Sequence, residues 1–486
     1  MQLPGRPVPN TFEYIEATAL REPQRLALVQ DNRSWTYRDL YLDLSHVTHA
    51  LLGLGVKRSD RVAVGMTGFR EGLLLLLALE NVGAATLSFV PENDPEKEQL
   101  FAHVDRAFSD VVQRVPGHVR FALIGDNFFA RAPEAGLADP PRPPCVALEP
   151  HEPARISRTS GSTGRSKFMV LNRRAQEWWI HRSATTRRLR PESRSMPLGT
   201  FVLNANLVSS SACLRMGAAV FRLTRSNMAA HDITHITCLP SMLEQLLDSL
   251  PPGYVARVPV DIATNGGFAS AQLRARAERV LRGSVRSRYG ANEVGGICEV
   301  MDVQGIGVVG AGVDLRIVDE FGHELPQGRL GIISVRTPGM VAEYIGDPEA
   351  SKAAFKGGWF QSGDWGTLIG PRTLKLAGRY DDLVNAGGLK VPAATVEAKV
   401  RELVNPTDCA ALAVNLDGGA TTLGIALVCD TADRVGVRRA IAQGVDLGAI
   451  VGARVVFLDR LPRTDNGKID RVALHELLAS PPPGSV

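Results

Sequence analysis

Residues 36–90 read TYRDLYLDLSHVTHALLGLGVKRSDRVAVGMTGFREGLLLLLALENVGAATLSFV, and the order of periodicities in that stretch decides the fold class. From Tyr37 to about Leu54 apolar residues recur at helical spacing, and Gly55 stops the run. A polar turn over residues 57–60 leads into a short β-branched strand beginning at Arg61. Residues 71–84 then suit a buried helix, and residues 85–90 a following strand. Alternation of helix and strand with apolar runs on both is the pattern of a sheet covered by helices, an α/β class.

Outward from there, a Pro-rich surface loop is expected over residues 133–153. Further on, short β-rich runs at 314–318, 331–336 and 373–377 replace the alternation and predict an antiparallel end to a large unit. After Gly378 the pattern changes again. A Gly-rich turn at Gly387 and Gly388, helices near 394–404 and 434–443, and strands near 409–415 and 423–428 predict a small α+β unit. The expected division is a large multi-sheet N-terminal domain over residues 1–378 and a small mobile C-terminal domain over residues 379–486. The tail from Ser480 is expected to be disordered, and no internal repeat is visible.

Composition excludes several classes. The chain has 486 residues with 55 Lys plus Arg against 51 Asp plus Glu, and the resulting +4 is too small a surplus to mark a nucleic-acid binder. Six cysteines, at 145, 213, 238, 298, 409 and 429, form no C-x-x-C pair, which removes the usual zinc and thioredoxin-like spacings. A reducing cytoplasm is the expected setting. The first ten residues lack the pattern of a signal peptide, and the apolar run from Leu73 to Leu79 is too short to span a bilayer, so no membrane insertion is expected.

The strongest chemical signal is Thr159-Ser160-Gly161-Ser162-Thr163-Gly164-Arg165-Ser166-Lys167. Glycines let backbone N–H groups approach phosphate oxygens closely, hydroxyls add donors, and a lysine supplies a point charge. Alone, such a stretch is as often a plain flexible turn. Its lysine follows the last glycine by three positions, so it is not a Walker loop.

The loop resembles the phosphate-binding signature of the adenylate-forming superfamily, which contains acyl-CoA synthetases, carrier-protein-loading adenylation domains and luciferases. Four further segments agree with it in the family's order. They are Tyr289-Gly290-Ala291-Asn292-Glu293, Gly358-Trp359-Phe360-Gln361-Ser362-Gly363-Asp364, Gly378-Arg379-Tyr380-Asp381-Asp382, and the run from Leu461 to Arg471 that contains Lys468. The resemblance runs from the Thr36 helix start to Arg471 and implies an acyl-CoA synthetase-like fold.

Several roles follow from residue type and resemblance together. Glu293 is a hard oxygen ligand suited to Mg²⁺ on a nucleotide's phosphates, although an isolated Glu is more often simply exposed. Tyr289 offers a flat face for adenine. By resemblance, Asp364 accepts the ribose hydroxyls and Arg379 is its partner, while Gly266 and Gly267 lie between adenine and acyl group. Lys468 resembles the lysine that bridges the acyl carboxylate and the α-phosphate, where an ammonium offsets the repulsion of two anions. Asn292 stands where the family commonly has Thr, and its amide can still donate to a phosphate oxygen. Asp381 resembles the hinge, and Gly387, Gly388, Leu389 and Lys390 the strip presented to a pantetheine arm.

The implied function is an ATP-dependent carboxylic acid ligase that forms an acyl- or aryl-adenylate, releases pyrophosphate and transfers the acyl group to a thiol. Residues 199–212 contain no acid to hold a substrate ammonium, which argues against an α-amino acid. With Asn204, Asn206 and Ser209 to Ser211, the acid pocket reads as mixed in polarity, suited to an aryl or short-to-medium acyl acid. The implied cofactors are ATP, Mg²⁺ and coenzyme A, or the phosphopantetheine of a carrier protein. An acyl carrier protein as partner therefore stays open, as does the oligomeric state. A non-catalytic descendant would keep the fold but has no need of Lys468, Glu293 and Asp364 together, and a hydrolytic NTPase would release phosphate rather than pyrophosphate.

Overall fold

The computed structural model describes residues 8–131, 141–159, 166–223, 228–267, 269–302, 304–379, 383–386, 389–415, 421–444, 453–463 and 469–480. The first long helix, Tyr37–Gly53, begins on a capping box: the Thr36 hydroxyl accepts from the Asp39 N–H at 3.1 Å, and the Asp39 carboxylate accepts from the Thr36 N–H at 2.9 Å. Two orphan donors are thereby satisfied where the chain leaves the Arg33–Thr36 strand. Gly55 follows in the left-handed region, at φ +70°.

The leucine-rich segment is a helix from Phe69 to Val82, starting two residues earlier than its sequence pattern implies and ending at Gly83 with φ +88°. Leu73 to Leu79 are all buried. A helix apolar on every side is sandwiched, and this one packs with Phe12, Leu44, Phe201 and Leu207 in the largest core cluster. Leu74→Ala should therefore destabilise the fold by about 2–5 kcal/mol, the range for a buried leucine whose surroundings relax only in part. A fall in the denaturant midpoint at unchanged slope is the expected reading.

Two large sheets flank this core. In the six-stranded sheet the order is Arg120–Leu123, Arg106–Ser109, Arg61–Gly65, Ala85–Ser88, Pro153–Thr159, Lys167–Asn172. All neighbours are parallel except the last pair, which is antiparallel. The fourteen-stranded sheet has a parallel half, Leu26–Gln30, Ala219–Arg222, Arg194–Pro197, His235–Cys238, Asp261–Thr264 and Val285–Ala291. Beyond Val285–Ala291 every partner is antiparallel, through Gly295–Met301, Ile306–Val309, Thr373–Arg379, Trp359–Gly370, Gly331–Arg336 and Asp314–Val318. The antiparallel end expected from sequence is thus a continuation of the parallel sheet.

The C-terminal residues build separate sheets. Asp408–Asn415, Thr421–Val428 and Arg454–Phe457 form one of three strands, and Leu383–Ala386 pairs with Leu389–Pro392 as an antiparallel hairpin. Two apolar clusters here, one around Val396 and Ile425 and one around Val414 and Leu474, draw only on residues from Ala393 onward. The helices are Ala393–Val404, Arg434–Gly444 and Arg471–Ala479. Residues 132–140 of the Pro-rich loop and 481–486 of the tail lie outside the described residues.

Candidate active site

The hydroxyl- and glycine-rich loop joins the antiparallel strands Pro153–Thr159 and Lys167–Asn172, in which Thr159 and Lys167 are direct register partners. Ser160, Gly161, Ser162, Thr163 and Gly164 lie outside the described residues. What the structure fixes is the frame around them. The Lys167 ammonium stands 5.0 Å from the ring centroid of Tyr344. Tyr344 bridges in antiparallel fashion to Met169, and the Ile345 N–H donates to the Phe168 carbonyl at 2.7 Å, so the segment around Tyr344 is fastened to the strand that carries Lys167.

The same tyrosine holds Glu293. Its hydroxyl donates to Glu293 Oε1 at 2.7 Å, and the Val341 N–H donates to the Glu293 carbonyl at 2.8 Å. Glu293 is only 5% exposed, far from the solvated surface position that most glutamates occupy. Beside it, the Asn292 amide donates to the Arg158 carbonyl at 2.9 Å, one residue before Thr159. Arg158 is itself held by both oxygens of Asp94, at 2.7 and 2.8 Å, and by Glu96 at 3.0 Å. The strand end at Thr159, the Asn292 amide, the Glu293 carboxylate and Lys167 are therefore joined by a short chain of contacts.

Local backbone explains the turn that presents them. Val285–Ala291 is parallel to one neighbour and antiparallel to the other, so its C-terminal end opens where the sheet changes direction. At Gly290 a Cβ would lie 2.5 Å from the Gly295 carbonyl oxygen, so only glycine fits this close approach. Gly266, at φ +74°, and Gly267 follow the C-terminal end of Asp261–Thr264, the strand that pairs with His235–Cys238, and a Cβ on Gly266 would meet Leu239 just past that neighbour.

A second group lies on the antiparallel side. The Tyr289 hydroxyl donates to Asp364 Oδ2 at 2.6 Å and to Ser362 Oγ at 3.2 Å. Burial first, and the adjacent Asp364 carboxylate second, push the Tyr289 phenol well above its ordinary range, so it stays a donor at physiological pH. Asp364 and Arg379 face each other directly across the Trp359–Gly370 and Thr373–Arg379 strands. The residues that the resemblance assigns to adenine and ribose thus share one corner.

Lys468, Asp381, Gly387 and Gly388 lie outside the described residues. The flanks of Lys468 are described: Arg463 and Ile469 form an antiparallel bridge, and the Asp470 N–H donates to the Pro462 carbonyl at 2.9 Å. Asp470 then caps the Arg471–Ala479 helix. The residues on either side of positions 464–468 are therefore tied together. Leu389 and Lys390 pair with Ala386 and Asn385 in the hairpin.

Among the described residues no three His, Cys, Asp or Glu side chains gather as a metal cage. A Mg²⁺ that keeps several waters and shares substrate phosphate oxygens needs one or two protein carboxylates, and Glu293 meets that requirement. Sequence reasoning had no signal for Tyr344, whose contacts with Lys167 and Glu293 span long separations in the chain.

The profile of the family described as AMP-binding enzyme matches residues 15–345. The chain belongs to the AMP-binding enzyme family. This AMP-binding enzyme is 27% identical to indoleacetate–CoA ligase of Aromatoleum aromaticum, over 96% of its own length and 98% of that protein. It is 25% identical to triostin synthetase I of Streptomyces triostinicus, over 98% of its length and 95% of that protein. Among solved structures, ATP-bound MatB from Rhodopseudomonas palustris superposes at a TM-score of 0.82 with 21% identity, covering 97% of this chain and 99% of that one. The anthranilate CoA ligase AuaEII in complex with anthranoyl-AMP gives 0.80 with 18% identity, covering 98% and 99%. The AMP-binding enzyme therefore has the acyl-CoA synthetase-like α/β fold and is an AMP-forming ligase. No described helix is long and apolar enough to cross a membrane, and all six cysteines are free.

Proposed function

We propose that this ligase joins a small carboxylic acid to a pantetheine thiol through an acyl-adenylate, with coenzyme A as the acceptor. The observation that carries the reading is the convergence of Lys167, Asn292 and Glu293 on the frame of the Thr159 loop, with Tyr289 and Asp364 beside them. In the first step a carboxylate oxygen bonds to the α-phosphorus of ATP and pyrophosphate leaves. In the second, the thiol sulfur bonds to the acyl carbon, the bond to AMP breaks, and the thiol proton passes to solvent.

The loop N–H groups, Lys167 and Asn292 hold the phosphates, Glu293 is the protein ligand of Mg²⁺, and Lys468 steadies the charge that grows as two anions meet. Mg²⁺, when bound, neutralises phosphate charge. Residues 379–486 are the mobile part: Asp381 is the hinge, and Gly387, Gly388, Leu389 and Lys390 form the strip that meets the thiol. Indoleacetate–CoA ligase, the relative of that name, supports an aryl acid and coenzyme A. The kinship with triostin synthetase I supports a second acceptor, a carrier protein bearing the same arm. The absence of any acid at 199–212 disfavours an amino acid as cargo.

Asp364→Ala should raise the KM for ATP by about 10–100-fold with a smaller fall in kcat. A carboxylate that accepts ribose hydroxyls acts alike in ground and transition states, and charged hydrogen bonds contribute about 1.5–3 kcal/mol. Unchanged ATP affinity by calorimetry would remove Asp364 from the ribose site. The function itself is tested by supplying a carboxylic-acid library with ATP, then coenzyme A or a phosphopantetheinylated carrier, and detecting thioester by mass spectrometry. Thioester with coenzyme A supports the reading, thioester only with the carrier moves it to the second acceptor, and ATP turnover without either product contradicts it.

A further inference from the structure

A group of buried and half-buried cations lies between the Arg173–Thr186 and Asn204–Arg215 helices and the parallel sheet. Four guanidinium groups, those of Arg182, Arg187, Arg286 and Arg288, share this region with two carboxylates. Glu299 is taken by Arg182 and Asp261 by Arg286, each in a direct ion pair. Among the described residues Arg187 and Arg288 have no carboxylate bonded to them.

Their bonds go to hydroxyls instead. Arg187 Nη1 donates to Ser209 Oγ at 2.5 Å and weakly to Ser195 Oγ at 3.5 Å, while Arg288 Nη2 donates to Thr186 Oγ1 at 2.9 Å. Arg187 Nε and Nη2 and Arg288 Nε are shut off from solvent and have no hydrogen-bond partner among the described residues. Arg187 is among the largest fully buried side chains. Burial, with Arg288 adding repulsion, pushes its guanidinium down to about 10, so it still carries its charge at physiological pH. His235, whose ring bonds to the Arg187 carbonyl at 3.0 Å, is pushed down by burial and contributes no charge there.

Unpaired buried cations are costly to a fold, and donors left without acceptors add to that cost. Their position gives them a use. Ser195 and Thr237 are on the strands Arg194–Pro197 and His235–Cys238, and Ser209, which contacts Thr237 at 3.2 Å, is on the helix that covers them. Ser195 is the second residue of its strand and Thr237 the third of four, so Arg187 reaches the middle of the sheet from the ends where these strands begin. Arg288 precedes Tyr289 in the strand that ends just before Asn292 and Glu293, and alternation turns its side chain to the opposite face from Tyr289. An acid lying with its reacting carboxylate near Glu293 would extend toward this face.

We propose that Arg288 and Arg187 form the far wall of the acid pocket and bind a second carboxylate, so that the acid activated is a dicarboxylic acid. The inference rests on the ligase reading for its reaction and on the orphan guanidinium donors for its site. Each guanidinium offers paired N–H groups in the planar fork that matches a carboxylate, and the ion would supply the missing counter-charge.

The test uses the full chain with AMP present and follows thermal stabilisation by succinate, glutarate and isophthalate, each against its monomethyl ester. Stabilisation by at least one diacid, absent with its ester and lost in Arg288→Gln, is the expected result. Stabilisation by none, equal stabilisation by the esters, or an undiminished effect in Arg288→Gln overturns the proposal. The comparison of diacid with ester in the unmodified chain decides the matter even if Arg288→Gln fails to fold, and Arg288→Lys, which keeps charge but loses the fork, should show a reduced shift. In pyrophosphate release, the diacid-to-ester ratio of kcat/KM should fall about 100-fold in Arg288→Gln, the scale at which a site built around a polar group rejects analogues that lack it. Diacids that bind through Arg288 but support no pyrophosphate release would leave the second-carboxylate site standing and count against the ligase reading on which their activation rests.

Discussion

Lys468→Ala should abolish acyl-adenylate formation while ATP still binds. On the proposed site, the nucleotide is held before reaction by the Thr159 loop, by Lys167 and by the Tyr289 and Asp364 corner, none of which depends on Lys468. In the proposed mechanism the ammonium acts chiefly when the carboxylate oxygen closes on the α-phosphate and negative charge gathers between them. Deleting one such preorganised positive group costs about 2–4 kcal/mol, or roughly 30- to 1,000-fold in rate. Pyrophosphate exchange should fall by that factor, with ATP affinity by calorimetry within a small multiple of the starting value. Near-normal exchange in the variant would contradict the assignment of Lys468.

Asp381→Pro should separate the two half-reactions. If one site serves both, the C-terminal residues must present Lys468 and later withdraw it so that the Gly387 to Lys390 strip can meet the thiol. The rotation is expected in the link between the Thr373–Arg379 strand of the large sheet and the Leu383–Ala386 strand of the hairpin. Proline fixes φ near −65°, removes a donor and biases the residue before it toward extended backbone, without touching either set of reacting groups. Pyrophosphate release should persist at a substantial fraction of its original rate, and thioester formation should be lost. Equal loss of both, with the far-ultraviolet circular dichroism unchanged, would favour a static site.

What could be read in the sequence was what short-range physics writes there. The Tyr37 helix, the Gly55 stop and the leucine helix are each set by residues within a few positions of one another, and each is present within two residues of where the pattern puts it. The antiparallel runs near 314 and 331 are strands over the same residues. Their joining to the parallel strands in one sheet was not legible, because that depends on pairing at the edges of Val285–Ala291 rather than on any local pattern.

The site shows the same division. Motif residues such as Glu293 and Asp364 announce themselves, but what holds them does not. The 5% exposure of Glu293 follows from Tyr344, fifty-one residues away in sequence, and Tyr344 stands in an ordinary stretch of chain that carries no motif. Arg288 and Arg187 look in sequence like two of many arginines. Only the pairing of Glu299 with Arg182 and of Asp261 with Arg286 leaves them without a counter-charge.

In the proposed reaction the carboxylate oxygen of the acid bonds to the α-phosphorus of ATP. This step is tested most directly by labelling both carboxylate oxygens of the best acid with heavy oxygen, running the reaction to thioester with unlabelled water, and examining the nucleotide by mass spectrometry. Attack on the α-phosphorus and later cleavage of the acyl–oxygen bond by sulfur must leave one labelled oxygen on each AMP formed. AMP bearing that label, in step with thioester, is the predicted result. Label in inorganic phosphate, with ADP as the nucleotide product, or AMP free of label would contradict the account.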